Sequence, residues 1–427
     1  MKVGIINIGC FKNLVDSEWL MAKIEAIGHD VEFGRKDAES DILIVNTCGF
    51  TGDAEHDTLE LLHSQAARKR NNEIGKLWVM GCYGQKRGEA LRSDIPEIDA
   101  VFGNFHWADI IKRLGGEYTN SFQRKITTPR HYAYVKISEG CNQPCSYCIK
   151  PILNGPMQSR PIEEIVAECR YLQQTGIREI QIVAQNTTAY GLDIYHRHAI
   201  AELIKRISDI EGIDWIRIHY GYPLGFPTDL LDVMAERDNV CKYLDMALQH
   251  CSTKMLRLMR RGMSREQTED LIKEIRSRVP GIYLRTTMMT GHPGETEADF
   301  EELVEFVKAQ RFERMGVFPY SHQPGSYSDK HYIDDVPEDI KRHRALRLMD
   351  IQKQIYSERN NTLIGQDEQV IIDSILQDGT YLARRQYSTP MADPKVLLHS
   401  SLPLQTGSFY SVRFTGVQGR DLKAELL

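Results

Sequence analysis

The stretch Ala133-Tyr134-Val135-Lys136-Ile137-Ser138-Glu139-Gly140-Cys141-Asn142-Gln143-Pro144-Cys145-Ser146-Tyr147-Cys148 decides the fold. An apolar, β-branched run breaks at a glycine, and three cysteines follow with three and then two residues between them. The run reads as a strand, the cysteine segment as the loop after it, and Ile162–Gln174 as the helix beyond. Three thiolates on one loop can hold three irons of a cubane cluster and leave the fourth iron open to a small molecule. A structural zinc ion asks for four protein ligands, usually as paired spacings, and His131 and His219 are single. Packing cysteines are the poorer reading for three thiols so close together in a loop containing Gly and Pro.

Working outward, strands are expected at Ala133–Ser138, Glu179–Ala184, Trp215–His219, Tyr243–Ala247, Tyr283–Met289 and Arg314–Tyr320, with helical stretches between them. About six βα units imply a partial TIM-type barrel with its chemistry on the loops after the strands. Upstream, strands at Val3–Ile8, Asp41–Asn46 and Lys76–Met80 alternate with helices at Val15–Ile27, Ala54–Arg70 and Gly84–Arg92. That alternation implies an open parallel α/β sheet. Downstream, Val370–Leu376, Thr380–Ala383, Lys395–His399, Phe409–Phe414 and Leu422–Leu426 are short strands punctuated by Gly and Pro, as in a small antiparallel β-barrel of OB-like type. The expected domains are residues 1–116, 127–359 and 361–427, the first two joined by the polar stretch Glu117–Arg130.

Composition agrees with a globular chain: of 427 residues, 41% are hydrophobic and 26% charged, so collagen, coiled coil and wholesale disorder are excluded. No apolar run nears the ~18 residues of a bilayer span, and Lys2–Ile8 reads as a first strand rather than a signal peptide. The net charge of −6 favours a neutral or basic partner over non-specific nucleic-acid binding. Nine cysteines, an odd number without a leader, point to a reducing cytoplasm with some thiolates used as ligands rather than to a disulfide framework.

Three of those nine, Cys10, Cys48 and Cys82, each follow an expected strand. In a parallel sheet the carboxyl ends of the strands share one edge, where ligands bind, so three positions distant in sequence can converge. Gly9, Gly49 and Gly81 flank them and are expected to let the backbone approach a bulky inorganic ligand. A second three-cysteine cluster site is the reading that accounts for all three equivalent placements. Cys169, Cys241 and Cys251 are assigned to packing, the Arg260-Arg261 pair to a helix end, and Met288-Met289 to the barrel core.

Two triads in this order resemble the radical-SAM methylthiotransferase family over essentially the whole chain. The resemblance rests on Gly9-Cys10-Phe11-Lys12-Asn13-Leu14-Val15-Asp16-Ser17-Glu18, Lys136–Asn142, Ile218–Pro223, Leu248-Gln249-His250, Leu284–Thr287, Gly291–Thr296 and Gly316–Ser321. It implies an N-terminal methylthiotransferase domain, a radical-SAM core and a C-terminal TRAM domain. Cys141, Cys145 and Cys148 would hold the radical-generating 4Fe–4S cluster, and Cys10, Cys48 and Cys82 an auxiliary 4Fe–4S cluster carrying the sulfur. S-adenosylmethionine would serve as both methyl donor and radical source.

Within the family the chain is most similar to the branch that methylthiolates the β-carbon of an aspartyl residue in small-subunit ribosomal protein S-twelve. A flavodoxin or ferredoxin would supply electrons, and a separate donor the sulfur. Glu139, Gln185, Asn186, Gly291 and Pro293 are candidates for the SAM pocket. Asn186, Ala247 and His292 depart from the acidic residue, Pro and Phe common at those places. The alternatives are the branch acting on a tRNA adenosine, or a non-catalytic RNA- or ribosome-binding metalloprotein. From Thr362 to Leu427 acidic residues slightly outnumber basic ones, which suits docking on a basic protein better than gripping phosphates.

Overall fold

The computed structural model describes every residue except Phe50, Thr51, Phe105 and Asn120, the last of which lies in the linker. The N-terminal unit runs β1 (Lys2–Asn7), α1 (Phe11–Ala26), β2 (Asp30–Phe33), β3 (Ser40–Thr47), α2 (Gly52–Arg70), β4 (Ile74–Gly81), α3 (Cys82–Arg87), α4 (Ala90–Asp94), β5 (Ile98–Val101) and α5 (Trp107–Arg113). Its strands form one parallel sheet in the order β2-β1-β3-β4-β5. Helices cover both faces, and two apolar clusters fill the two sides. The expected Gly84–Arg92 helix is broken into α3 and α4 at Gly88, whose φ of +52° ends the first piece. Helix α1 starts at Phe11, one turn before the expected Val15, and so makes Cys10 its N-cap residue.

The core runs β6 (Tyr132–Lys136), β7 (Ser138–Glu139), α6 (Lys150–Asn154), β8 (Gln158–Ser159), α7 (Ile162–Gln174), β9 (Glu179–Val183), α8 (Ile200–Ser208), β10 (Trp215–Gly221), α9 (Asp229–Glu236) and β11 (Val240–Met246). It continues with α10 (Thr253–Leu258), α11 (Arg265–Arg278), β12 (Tyr283–Thr290), α12 (Glu297–Gln310), β13 (Arg314–Pro319), α13 (Tyr327–His331) and α14 (Glu338–Leu363). The six long strands pair in parallel in chain order from β6 to β13, giving the part-barrel expected. Strand alternation sends Val135, Ile180, Ile182, Ile216, Ile218 and Leu244 outward into the main apolar cluster beneath the helices. Helix α7 meets them with Ile162, Ile165, Val166, Cys169 and Leu172, a stripe at helical spacing. The opposite set, including Tyr134, Gln181, Arg217, His219 and Tyr243, faces the lumen and is buried there.

The C-terminal unit is a closed barrel of β14 (Asp367–Ile375), β15 (Tyr381–Arg385), β16 (Val396–Leu398), β17 (Phe409–Gln418) and β18 (Asp421–Leu426). Its ladders are antiparallel except β16–β18, which is parallel, a departure from the all-antiparallel expectation. This barrel packs under the amino ends of the core strands. Trp215 meets Phe409 edge-on at 4.9 Å, and Tyr283 stacks on Tyr387 at 4.3 Å. Arg384, fully buried, donates to Glu179 Oε2 at 2.6 Å and to Asp373 Oδ2 at 3.0 Å. Helix α1 docks the N-terminal unit on the free edge of β6, where Phe11 lies flat against Tyr134 at 4.3 Å. Among the described residues no helix is long and apolar enough to cross a membrane.

Candidate active site at two cysteine triads

The loop from Glu139 to α6 carries Cys141, Cys145 and Cys148 at the carboxyl end of β6. Gly140 makes its first bend at φ +75°, where a Cβ would lie 2.1 Å from the Pro156 carbonyl oxygen, so only glycine fits. The three thiols line a cavity of about 400 Å³ together with Ile152, Arg260 and Tyr327. Backbone N–H groups of Gln143 and Lys150 point at Cys141 and Cys148 sulfur, at 3.5 and 3.4 Å. Cys145 sulfur takes Arg261 Nη1 at 3.3 Å and lies 3.6 Å from Tyr222 Oη. Burial pushes the Cys145 thiol up, but the Arg261 charge and these hydrogen bonds outweigh it and hold it below its ordinary value. Burial wins at Cys148, which is pushed up to about 11 in the absence of any metal charge.

A pocket of soft sulfur ligands ringed by N–H donors fits an iron–sulfur cluster, whose thiolates stay anionic and accept hydrogen bonds. It does not fit a mononuclear zinc ion. Among the described residues no three His, Cys, Asp or Glu side chains converge on a single ion position, whereas cubane ligands sit apart on separate irons.

Cys10, Cys48 and Cys82 lie just beyond β1, β3 and β4, three adjacent strands, on one edge of the N-terminal sheet. Asn46 fixes two of these segments against each other. Its Nδ2 donates to the Asn13 carbonyl and to Ser17 Oγ, both at 2.9 Å, and its Oδ1 accepts from Asn13 Nδ2 at 3.1 Å. The flanking glycines make room for protein rather than for a ligand, contrary to expectation. A Cβ on Gly9 would strike Asn13, one on Gly49 would strike Tyr83, and one on Gly81 would lie 2.4 Å from Asn46 Oδ1. Burial and the neighbouring Cys10 and Cys48 sulfurs push Cys82 up to about 12. Cys10 is also pushed up by burial, but Lys12, two backbone N–H groups and Lys150 bring it below its ordinary value.

The two triads face each other. Helix α3, which begins at Cys82, packs on α6, which begins two residues after Cys148. The charge of Lys150 acts on Cys10, Cys141 and Cys148 alike. Glu139 sits between the triads and acts on Cys82. It accepts from Lys136 Nζ at 2.9 Å, Asn154 Nδ2 at 2.7 Å and Gln185 Nε2. Lys136 also pairs with Asp16 of α1, so this network ties the N-terminal unit to the cluster loop.

Of the other pocket candidates, Asn186 uses Oδ1 to accept from Thr188 Oγ1 at 2.8 Å and the Ala189 N–H at 3.3 Å within its own turn. Gly291 leaves room for Lys341, since a Cβ there would lie 2.0 Å from Lys341 Cγ. The Pro293 carbonyl accepts from His292 Nδ1 at 3.0 Å. A carbonyl only accepts, so His292 carries its proton on Nδ1, and Nε2 accepts from Ser146 Oγ at 3.0 Å. The histidine thereby joins the cluster loop to the end of β12, and burial lowers it to about 4.

Sequence reasoning missed Lys12, Tyr222, Arg261 and His292 as parts of the site. Arg261 was placed with Arg260 at a helix end. The pair does follow α10, but Arg261 is 3% exposed and turned to Cys145, while Arg260 covers Tyr327 at 4.3 Å. Cys169, Cys241 and Cys251 are buried apart from both triads, as packing residues should be.

Comparison with known proteins agrees with this architecture. Residues 2–103 match the family described as "Uncharacterized protein family UPF0004", 135–307 the radical SAM superfamily, and 364–427 the TRAM domain. Among solved structures, the radical S-adenosylmethionine methyltransferase TsrM of Kitasatospora setae superposes with a TM-score of 0.59 over 77% of each chain at 16% identity, a likeness of fold alone. The radical SAM match over residues 135–307 implies one site for a 4Fe–4S cluster and S-adenosylmethionine. The ribosomal protein uS12 methylthiotransferase RimO of Parabacteroides distasonis is 49% identical over 100% of this chain and 99% of its own. That of Bacteroides thetaiotaomicron is 48% identical over 100% and 98%, and that of Cytophaga hutchinsonii 42% over 100% and 98%. The chain belongs to the RimO family of radical-SAM methylthiotransferases.

Proposed function

We propose that this enzyme adds a methylthio group to the β-carbon of an aspartyl residue in ribosomal protein uS12, with Cys141, Cys145 and Cys148 holding one 4Fe–4S cluster and Cys10, Cys48 and Cys82 a second. The observation that carries the reading is the opposition of two thiol triads across the α3–α6 contact. The bound clusters and S-adenosylmethionine would supply a carbon-centred radical at one triad, and a transferable sulfur and its methyl group at the other.

The protein's own residues do the rest. Arg261 favours the anionic form of the Cys145 sulfur, and the N–H groups of Gln143 and Lys150 donate to the Cys141 and Cys148 sulfurs. Lys136, Asn154 and Gln185 hold Glu139 ionised between the triads: burial pushes its carboxyl up, and the Lys136 charge and hydrogen bond bring it below its ordinary value.

A protein substrate suits the C-terminal barrel better than tRNA does. Four of its cations are spent on internal pairs: Arg384 and Lys395 on Asp373, Arg385 on Glu368, and Arg413 on Asp367. The reductant would be a flavodoxin or ferredoxin, with a separate sulfur donor. The test is to reconstitute the enzyme without oxygen, then incubate it with uS12 and with tRNA and weigh both products. About eight irons per chain are expected, with methylthiolation of uS12 alone. In Cys145→Ala, 5′-deoxyadenosine formation should vanish. Methylthiolation of tRNA alone would overturn the substrate, and an iron-free protein the whole reading.

A further inference from the structure

Among the described residues four lysines are buried: Lys12, Lys23, Lys136 and Lys341. Three of them have oxygen acceptors. Lys23 reaches the Ser121 carbonyl at 3.0 Å, Lys136 pairs with Asp16 and Glu139, and Lys341 with Asp334 and Glu338, both at 2.7 Å. Lys12, at 8% exposure, has none among the described residues; its Nζ stands 4.5 Å from the centre of the Tyr220 ring. A buried ammonium with an aromatic face and the Cys10 sulfur beside it, but no oxygen acceptor, gives up hydration that an anionic oxygen returns. Glu139, a carboxylate whose charge acts on it, is already taken by Lys136, Asn154 and Gln185. Tyr220 itself is held at φ +59°, a left-handed conformation rare for a residue with a side chain, at the carboxyl end of β10. Such strain is retained where it aims a group.

Lys12 lies two residues past Cys10, in the first turn of the helix that Cys10 caps, and its charge acts on both Cys10 and Cys82. We propose that Lys12, backed by Tyr220, receives the side-chain carboxylate of the accepting aspartyl residue and thereby selects an anionic substrate. The inference rests on the function proposed above and deepens it. The carboxyl carbon is bonded directly to the reacting β-carbon, so a cation beside the sulfur-bearing triad anchors the substrate one bond from where sulfur must arrive. An adenine base offers no such charge, so the same contact discriminates against the nucleic-acid substrate of the sister branch.

The experiment uses the reconstituted full-length enzyme and two peptides spanning the accepting segment of uS12, one with the native Asp and one with Asn in its place. Fluorescence anisotropy should show wild type binding the Asp peptide at least tenfold more tightly. In Lys12→Met that preference should collapse to about unity, with KM for the Asp peptide raised by a similar factor. Lys12→Arg, which keeps the charge, should restore part of it. A preference that survives in Lys12→Met at full iron content overturns the assignment. So does a wild type that binds both peptides equally, and so does a variant whose only change is lost iron, for then Lys12 serves the cluster. A wild type that methylthiolates neither uS12 nor the Asp peptide fells the parent reading, and this one with it.

Discussion

His292 is a small test of how the site is held. It is fully buried, neutral, and links Ser146 of the cluster loop to the turn after β12. Its folded value of about 4 lies below the ordinary 6.5, so the unfolded chain takes up a proton that the fold refuses. The stability this residue contributes is therefore complete above pH 6.5 and is lost as pH falls from 6.5 towards 4, at no more than about 1.4 kcal/mol per pH unit. In His292→Phe, urea unfolding from pH 7.5 down to 4 should show a flatter decline, by up to one proton. It should also show an offset of about 1–3 kcal/mol at pH 7.5 from the stranded Ser146 hydroxyl. An unchanged slope would remove His292 from the account. The cysteines could be singled out in the sequence, Cys141, Cys145 and Cys148 by their spacing and Cys10, Cys48 and Cys82 by their places after strands. Lys12, Arg261 and His292 were not, because a lone basic residue is ordinary until the fold shows what surrounds it.

At the scale of elements, periodicity found the six core strands within a residue or three at each end. It missed the two-residue β8 and, in the N-terminal sheet, β2 and β5, four-residue edges too short to establish a period and paired on one side only. It misplaced the start of α1 because Phe11 and Lys12 turn toward Tyr134 and Tyr220 of the core domain rather than continuing the apolar stripe of the helix. The glycines beside the triad were recognised but misread, since their space is filled by Asn13, Tyr83 and Asn46. Gly81 is the sharpest case: its φ is +91°, and a Cβ would lie 2.8 Å from the Thr47 carbonyl oxygen. Gly81→Ala should cost about 1–3 kcal/mol in thermal or urea unfolding and lower iron retention at the triad containing Cys82. Retained stability with full iron would show that β4 and α3 can shift freely.

Across the whole molecule, the number and kind of domains could be read from the sequence, but not how they dock. Docking depends on partners far apart in the chain, such as Glu179 with Arg384 and Lys136 with Asp16. Glu179 and Arg384 are both wholly buried, with Arg217 at 3.1 Å from Glu179 as well. Arg384→Met should cost about 3–5 kcal/mol, because it leaves buried carboxylates short of a cation. The C-terminal barrel should then melt before the core in a denaturant series followed by tryptophan emission, with Trp215 as the reporter at that contact. A single unshifted transition would show the joint to be held by its aromatic contacts alone.

The seal of Trp215, Tyr243 and Tyr283 against Ile371, Tyr387 and Phe409 closes the floor of the part-barrel. The Cys141–Cys148 loop stands at the opposite, carboxyl end of β6, so a target segment reaches these thiols from that side of the core and not through the C-terminal barrel.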